Sequence, residues 1–199
     1  MMTWGSEALA VLELLKMLVL DPHTGVLIAL LVVAAWIDVK THRIPNLLLL
    51  AGIVFGVLYN GFYPVYLREN GWLVGLVGTG VGLIVFLPLY LLRAMGAGDV
   101  KLMAMVGAFL GPWPAVLAIL WSSVAGGVIA LGLLLWTGNV RRGFNNVISL
   151  MRGNLLTAPI GHVDLQVSAA VSAGKLPYAV AIAAGTIAFL VSRQLGFIH

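Results

Sequence analysis

Two carboxylates stand apart in this chain: Asp38 in "AAWIDVKTHRIPN" and Asp99 in "AMGAGDVKLMAMVGAFLG". The whole sequence holds seven Asp and Glu residues, and these two sit where a long apolar run ends or begins. Two carboxylates brought close together cannot both ionise easily, so such a pair keeps one shared proton. The ionised member can take a proton from a water molecule that attacks a carbonyl. The protonated member can polarise that carbonyl and then help protonate the leaving amine. This acid–base chemistry needs neither a metal nor a thiol, and the sequence contains no cysteine.

The elements that must position the pair are membrane helices. A composition of 61% hydrophobic and 9% charged residues, with a mean hydropathy of +1.07, excludes an ordinary soluble domain. The absence of cysteine also excludes a disulfide framework and a thiolate zinc site. A hydrocarbon core of about 30 Å takes roughly 20 helical residues. The apolar runs predict six spans, at about 23–39, 45–66, 71–92, 99–111, 113–137 and 177–195. The uncharged run 102–140 is too long for one span and breaks at "GPWP" (Gly111–Pro114), where proline removes amide donors. Residues 4–20 carry Glu7, Glu13 and Lys16 and suit an interfacial helix. The expected fold is therefore all-α: one membrane domain over 1–199, a polytopic bundle of about six transmembrane helices with an N-terminal interfacial helix.

Six spans with both ends outside put Lys40, Arg43, Arg93, Lys101, Arg141, Arg142, Arg152 and Lys175 on one face, which the positive-inside rule makes cytosolic. The net charge of +4 is then read as membrane orientation, and no nucleic-acid partner is expected. The loop at about 138–176 lies on the same face, with "NVRRGFNNVISLMRGNLL" as an amphipathic surface helix. Asp38 ends the first span and Asp99 opens the fourth, so helices of opposite direction deliver both acids to this face. The fourth span from Asp99 to Gly111 is about 20 Å long, and the first from Pro22 to Ile37 about 24 Å. Both fall short of the hydrocarbon thickness, which would draw the carboxylates below the surface.

Each acid also has a purely structural alternative. Aspartate is a good helix N-cap, which would account for Asp99. Asp38 lies at a helix C-terminus, where the macrodipole disfavours an anion; its alternative is an ion pair with Lys40, Arg43 or Lys101. Asp38 and His42 have a metal-ligand spacing, and His162 and Asp164 could be added, but no metal site is expected. His23, His162 and His199 are read as loop or terminal residues. Gly52/Gly56, Gly71/Gly75 and Gly78/Gly82 are small-residue pairs that let helices approach closely. Trp72, Trp113, Trp136, Tyr63 and Tyr66 fall near span ends, as an aromatic belt would.

With these residues in place, "GAGDVKL" resembles the GxGD motif of aspartyl membrane proteases. "DVKTHRIPN" is similar to the first-aspartate motif of type IV prepilin peptidases, and "KLPYAVAIAAG" to the segment that opens their last helix. The resemblance implies that Asp38 and Asp99 are the catalytic dyad, with no cofactor. It implies a prepilin substrate cleaved after a short basic leader at the cytosolic face of the bacterial inner membrane. A chain without cysteine is similar to the short form associated with Flp-type (tight-adherence) pili, for which methylation is not expected. Gly96 and Gly98 leave backbone bare beside Asp99, where an extended peptide could approach. Lys101 tunes the dyad, anchors the loop or simply snorkels. Ile44, Pro45 and Asn46 stop one helix and start the next, which orients Asp38. Oligomeric state is not legible. Two other functions compete: a presenilin-like intramembrane protease, disfavoured by Ile37 before Asp38 and by "LPYA", and a proton-coupled transporter, for which no inverted repeat is evident.

Overall fold

The computed structural model describes residues 21–63, 70–91, 95–136 and 178–196. Six helices follow one another: α1 (Pro22–Thr41), α2 (Asn46–Phe62), α3 (Gly71–Leu91), α4 (Ala97–Leu110), α5 (Pro112–Trp136) and α6 (Tyr178–Gln194). They match the six predicted spans within a few residues at each end. The proposed interfacial helix at 4–20, the 138–176 loop with its amphipathic helix, and Tyr66, His162, Asp164 and His199 lie outside the described residues.

Helices α1, α3 and α5 are long and apolar enough to cross a membrane unaided, and α2 and α6 are shorter apolar helices. Their outward faces carry Val32, Val33, Trp36, Leu73, Leu76, Ile84, Leu120, Val124, Val128 and Leu131, all exposed. An apolar surface of this extent is a lipid-facing surface, since water would not tolerate it on a single chain. The protein is a helical membrane bundle. Tyr63, Trp72 and Trp113 lie exposed at one end of the bundle, where an aromatic belt would sit.

Helix α4 is the axis of this bundle. Apart from Lys101, every residue from Asp99 to Leu110 is buried. Its 14 residues span about 21 Å; the shortness is tolerated because its neighbours, rather than lipid, cover it. Close approach is made by glycine. A Cβ built on Gly78 of α3 would collide with the Gly107 carbonyl oxygen of α4, and one on Gly107 with the Gly78 carbonyl. A Cβ on Gly82 would likewise strike the Met103 carbonyl, while Gly52 and Gly56 of α2 lie against Met105, Ala108 and Phe109. The small-residue pairs on these helices thus pack one helix against another. Lipid tails are as apolar as leucine, so such backbone contact must supply much of the association energy.

The far end of α4 is tied down by a side chain the sequence reading passed over. Asn60 of α2 is 1% exposed, and its amide nitrogen donates to the Ala108 and Phe109 carbonyls at 2.8 and 3.0 Å. These carbonyls belong to the last turn of α4, where no intrahelical donor remains. The chain then turns at Gly111, whose φ of 82° suits glycine, and re-enters a helix at Pro112. Asn60→Leu is expected to cost about 1–2 kcal/mol by stripping two buried carbonyls of their donor, and thermal unfolding of the detergent-solubilised protein will read it.

Two expectations need correction. His23 is not a loop residue: it lies in the first turn of α1, 7% exposed, stacked on Tyr59 with ring centroids 4.6 Å apart. Proline at the start of α1 and the Thr24 hydroxyl, which donates to Asp21 at 2.7 Å, begin the helix one residue ahead of it. Nor is α1 short. It runs on to Thr41, 20 residues in all, or about 30 Å.

Candidate active site

The first carboxylate is set one turn inside the end of α1. Asp38 is 8% exposed because the helix continues past it to Thr41. The covering comes from the last turn of a full-length helix and not from a short span. His42 ends the helix in the left-handed conformation (φ 50°), and its amide donates to the Asp38 carbonyl at 2.8 Å. The Thr41 hydroxyl braces the turn by donating to the Ile37 and Arg43 carbonyls at 2.9 and 3.0 Å. Pro45 then serves as the N-cap of α2 and Asn46 as its first residue. The connector is thereby fixed at both ends.

The second carboxylate sits in the first turn of α4. Gly96, in extended conformation, is the N-cap, so Asp99 is not the capping residue the structural alternative required. It stands at the third helical position and reaches back: its Oδ2 accepts from the Gly96 amide at 3.3 Å. Negative charge at this position is favoured by the helix macrodipole. Asp99 is also 8% exposed. A capping contact and a chemical role are therefore both open to it.

The two acids line a single cleft of about 320 Å³. The end of α1 supplies Asp38 and His42, the connector Arg43 and Ile44, α2 Asn46, and the start of α4 Gly96 to Asp99. His42, Arg43, Gly96 and Ala97 are exposed, which gives solvent a path to carboxylates that are themselves nearly covered. A Cβ on Gly98 would meet Ile44 at an ordinary 3.5 Å. The protein itself does not require glycine there, and its lack of a side chain widens the cleft beside Asp99.

The ion-pair alternative for Asp38 is not what the lysines do. Lys40 lies over the Trp36 ring, 4.4 Å from its centroid. Lys101 donates to the Asn46 side-chain carbonyl at 2.9 Å. Of the three roles considered for Lys101, anchoring fits: it joins the first turn of α4 to the first turn of α2. Among the described residues no three His, Asp or Glu side chains cluster as metal ligands.

Asp38 is held from a direction the sequence did not reveal. The Ala179 amide, in the first turn of α6, donates to Asp38 Oδ2 at 3.3 Å. Amides in the first turn of a helix have no intrahelical acceptor, and the positive end of the helix dipole offsets the unfavourable end of α1. The one available signal was the proline–aromatic segment before the last helix. It marked where α6 begins, but not that its backbone meets Asp38. Of the residues singled out in the sequence, Gly96, Gly98 and Asn46 line the cleft, while Pro45 caps α2 and Lys101 holds Asn46 beside it; the Ala179 amide was missed.

No solved structure matches the chain. A prepilin leader peptidase/N-methyltransferase of Myxococcus xanthus is 34% identical over 121 residues, covering 57% of this chain and 35% of the relative. One of Aeromonas salmonicida is 33% identical over 142 residues, covering 63% of this chain and 46% of the relative. The chain thus spans less than half the length of these curated relatives. A model of the type IV leader peptidase family matches residues 25–131, more than half of the chain and the stretch that carries both aspartates, and the chain belongs to that family.

Proposed function

We propose that this protein is a membrane aspartic endopeptidase that removes the basic leader from type IV pilin-like precursors of the Flp type, at the cytosolic face of the bacterial inner membrane. The observation that carries the reading is the shared cleft: Asp38 and Asp99, from helices of opposite direction, line one cavity at one end of the bundle. Family membership supports the reaction class. The described basic residues nearest that end, Lys40, Arg43 and Lys101, support a cytosolic orientation.

The chemistry follows from one proton shared by two acids. A water molecule between them gives its proton to the ionised carboxylate as its oxygen attacks the scissile carbonyl. The protonated carboxylate donates to the carbonyl oxygen, giving a neutral gem-diol. Collapse of that intermediate breaks the C–N bond. The amine leaves with a proton from one carboxyl group while a gem-diol hydroxyl gives its proton to the other carboxylate as the new C=O forms, so the pair ends with one proton again. The bare backbone at Gly96 and Gly98 gives an extended substrate room beside Asp99, and the Ile44 side chain forms the apolar wall opposite.

Co-expression with a Flp-type prepilin, followed by mass measurement of the substrate, tests the proposal. The expected result is a mass loss equal to the leader, dependent on this chain. An unprocessed prepilin in membranes that contain the folded protein would contradict it.

A further inference from the structure

Helix α2 is tied to α4 by side chains at both ends. At the far end Asn60 donates to the Ala108 and Phe109 carbonyls. At the end that carries the carboxylates, Lys101 Nζ donates to Asn46 Oδ1 at 2.9 Å. The two ties differ in burial. Asn60 is covered, whereas Lys101 and Asn46 are exposed, and water competes for both partners, so their bond contributes little to stability. Lys101 is nevertheless the one exposed residue between Asp99 and Leu110. Its partner Asn46 lines the cleft together with Asp38 and Asp99.

Each carboxylate is fixed within its own segment. Asp38 sits in the last turn of α1, where the His42 amide and the Thr41 hydroxyl brace the chain that leads on to Asn46. Asp99 is held in the first turn of α4 by the Gly96 amide. Neither set of bonds fixes one segment against the other. That register is set where the connector meets α4. Gly98 faces the Ile44 side chain, an apolar contact with no preferred direction. The bond from Lys101 to Asn46 is directional. It closes a path from Asp38 along the connector to Asn46, across to Lys101, and back two positions to Asp99.

We propose that Lys101 and Asn46 are positioning residues of the dyad: their hydrogen bond locks the first turn of α4 to the connector and so sets the separation of Asp38 and Asp99 across the cleft. The role belongs to the bond rather than to the lysine charge, so removing either partner has the same consequence. This rests on the reading of Asp38 and Asp99 as the catalytic dyad.

The test compares full-length wild type, Lys101→Met, Asn46→Ala, the double variant, Lys101→Arg and Asp99→Asn in membranes. It measures kcat and KM on a Flp-type prepilin and the folded fraction in parallel. Asn46→Ala leaves the Lys101 charge in place and so separates the bond from the charge. The expected result is a kcat lowered about tenfold in each single variant, within the roughly 10²-fold that a 1 Å misplacement can cost, with KM within about twofold. The double variant should be no worse than either single one, because all three lose the same bond. Lys101→Arg keeps a donor of similar reach and should recover part of the loss. A wild-type kcat in Asn46→Ala, losses that multiply in the double variant, or a loss that only follows the folded fraction would each overturn the inference. A second readout needs no catalysis. In an Asp38→Cys/Asp99→Cys protein a short bifunctional thiol reagent bridges the two positions, and adding Lys101→Met should lower the bridged yield; an unchanged yield would overturn the lock. Activity retained by Asp99→Asn would instead remove the dyad reading itself, so the two failures are distinguishable.

Discussion

Asparagine at either position 38 or position 99 is expected to reduce prepilin cleavage by about 10²–10⁴-fold, the range of a lost general acid or base. The substitution removes one group able to carry a proton and little else. An asparagine oxygen can still accept from the Ala179 amide at position 38 or from the Gly96 amide at position 99. Both sites are nearly covered, so exchanging a carboxyl for a neutral amide should not unfold the bundle. The double variant should be scarcely worse than either single one, because groups that act as a unit are not additive. Substrate mass after co-expression reads the activity. Thermal unfolding in detergent establishes that each variant is folded.

The second large effect is on stability. Gly107→Ala, or its counterpart Gly78→Ala, places a methyl group on the backbone of the facing helix, which cannot move aside as a flexible side chain could. The expected cost is about 3 kcal/mol, the upper part of the range for overpacking, with a matching fall in thermal stability. Gly80→Ala is the control. It lies on the same helix with open space around it and should be neutral or slightly stabilising, as alanine is the better helix former. Activity should fall with stability in the Gly107 variant, since α4 carries Asp99. A Gly107→Ala protein as stable as wild type would mean that α3 and α4 do not pack backbone to backbone.

The sequence showed the pair of acids because acids are rare in it. In a chain with seven Asp and Glu residues, a carboxylate at the edge of an apolar run cannot be mistaken for ordinary surface. Helix order was legible for a related reason. Lipid demands long uninterrupted apolar helices, so each break, such as Gly111–Pro112, is visible. The small-residue pairs were legible too, but their partners were not: Gly52 and Gly78 could each have faced any neighbour. What stayed hidden is contact made by backbone. Asn60 sits in an uncharged span, and its acceptors are peptide carbonyls on another helix. The Ala179 amide reaches Asp38 from 141 positions away in sequence, and an alanine carries no sign of this. Helix length was misjudged at α1 because "KTH" reads as the start of a loop, whereas the helix keeps Lys40 and Thr41 in its last turn. Charged and polar residues close a span in sequence without ending the helix.

The central claim is spatial: the side chains at positions 38 and 99 meet in one cleft, on one side of the membrane. The chain has no cysteine, which makes a direct test clean. Asp38→Cys and Asp99→Cys, singly and together, can be treated in sealed membrane vesicles with a short bifunctional thiol reagent and then weighed. The prediction is one bridging adduct that consumes both thiols in the double variant, with both single variants reactive from the same face. Two independent adducts, or thiols reached from opposite faces, would contradict the account.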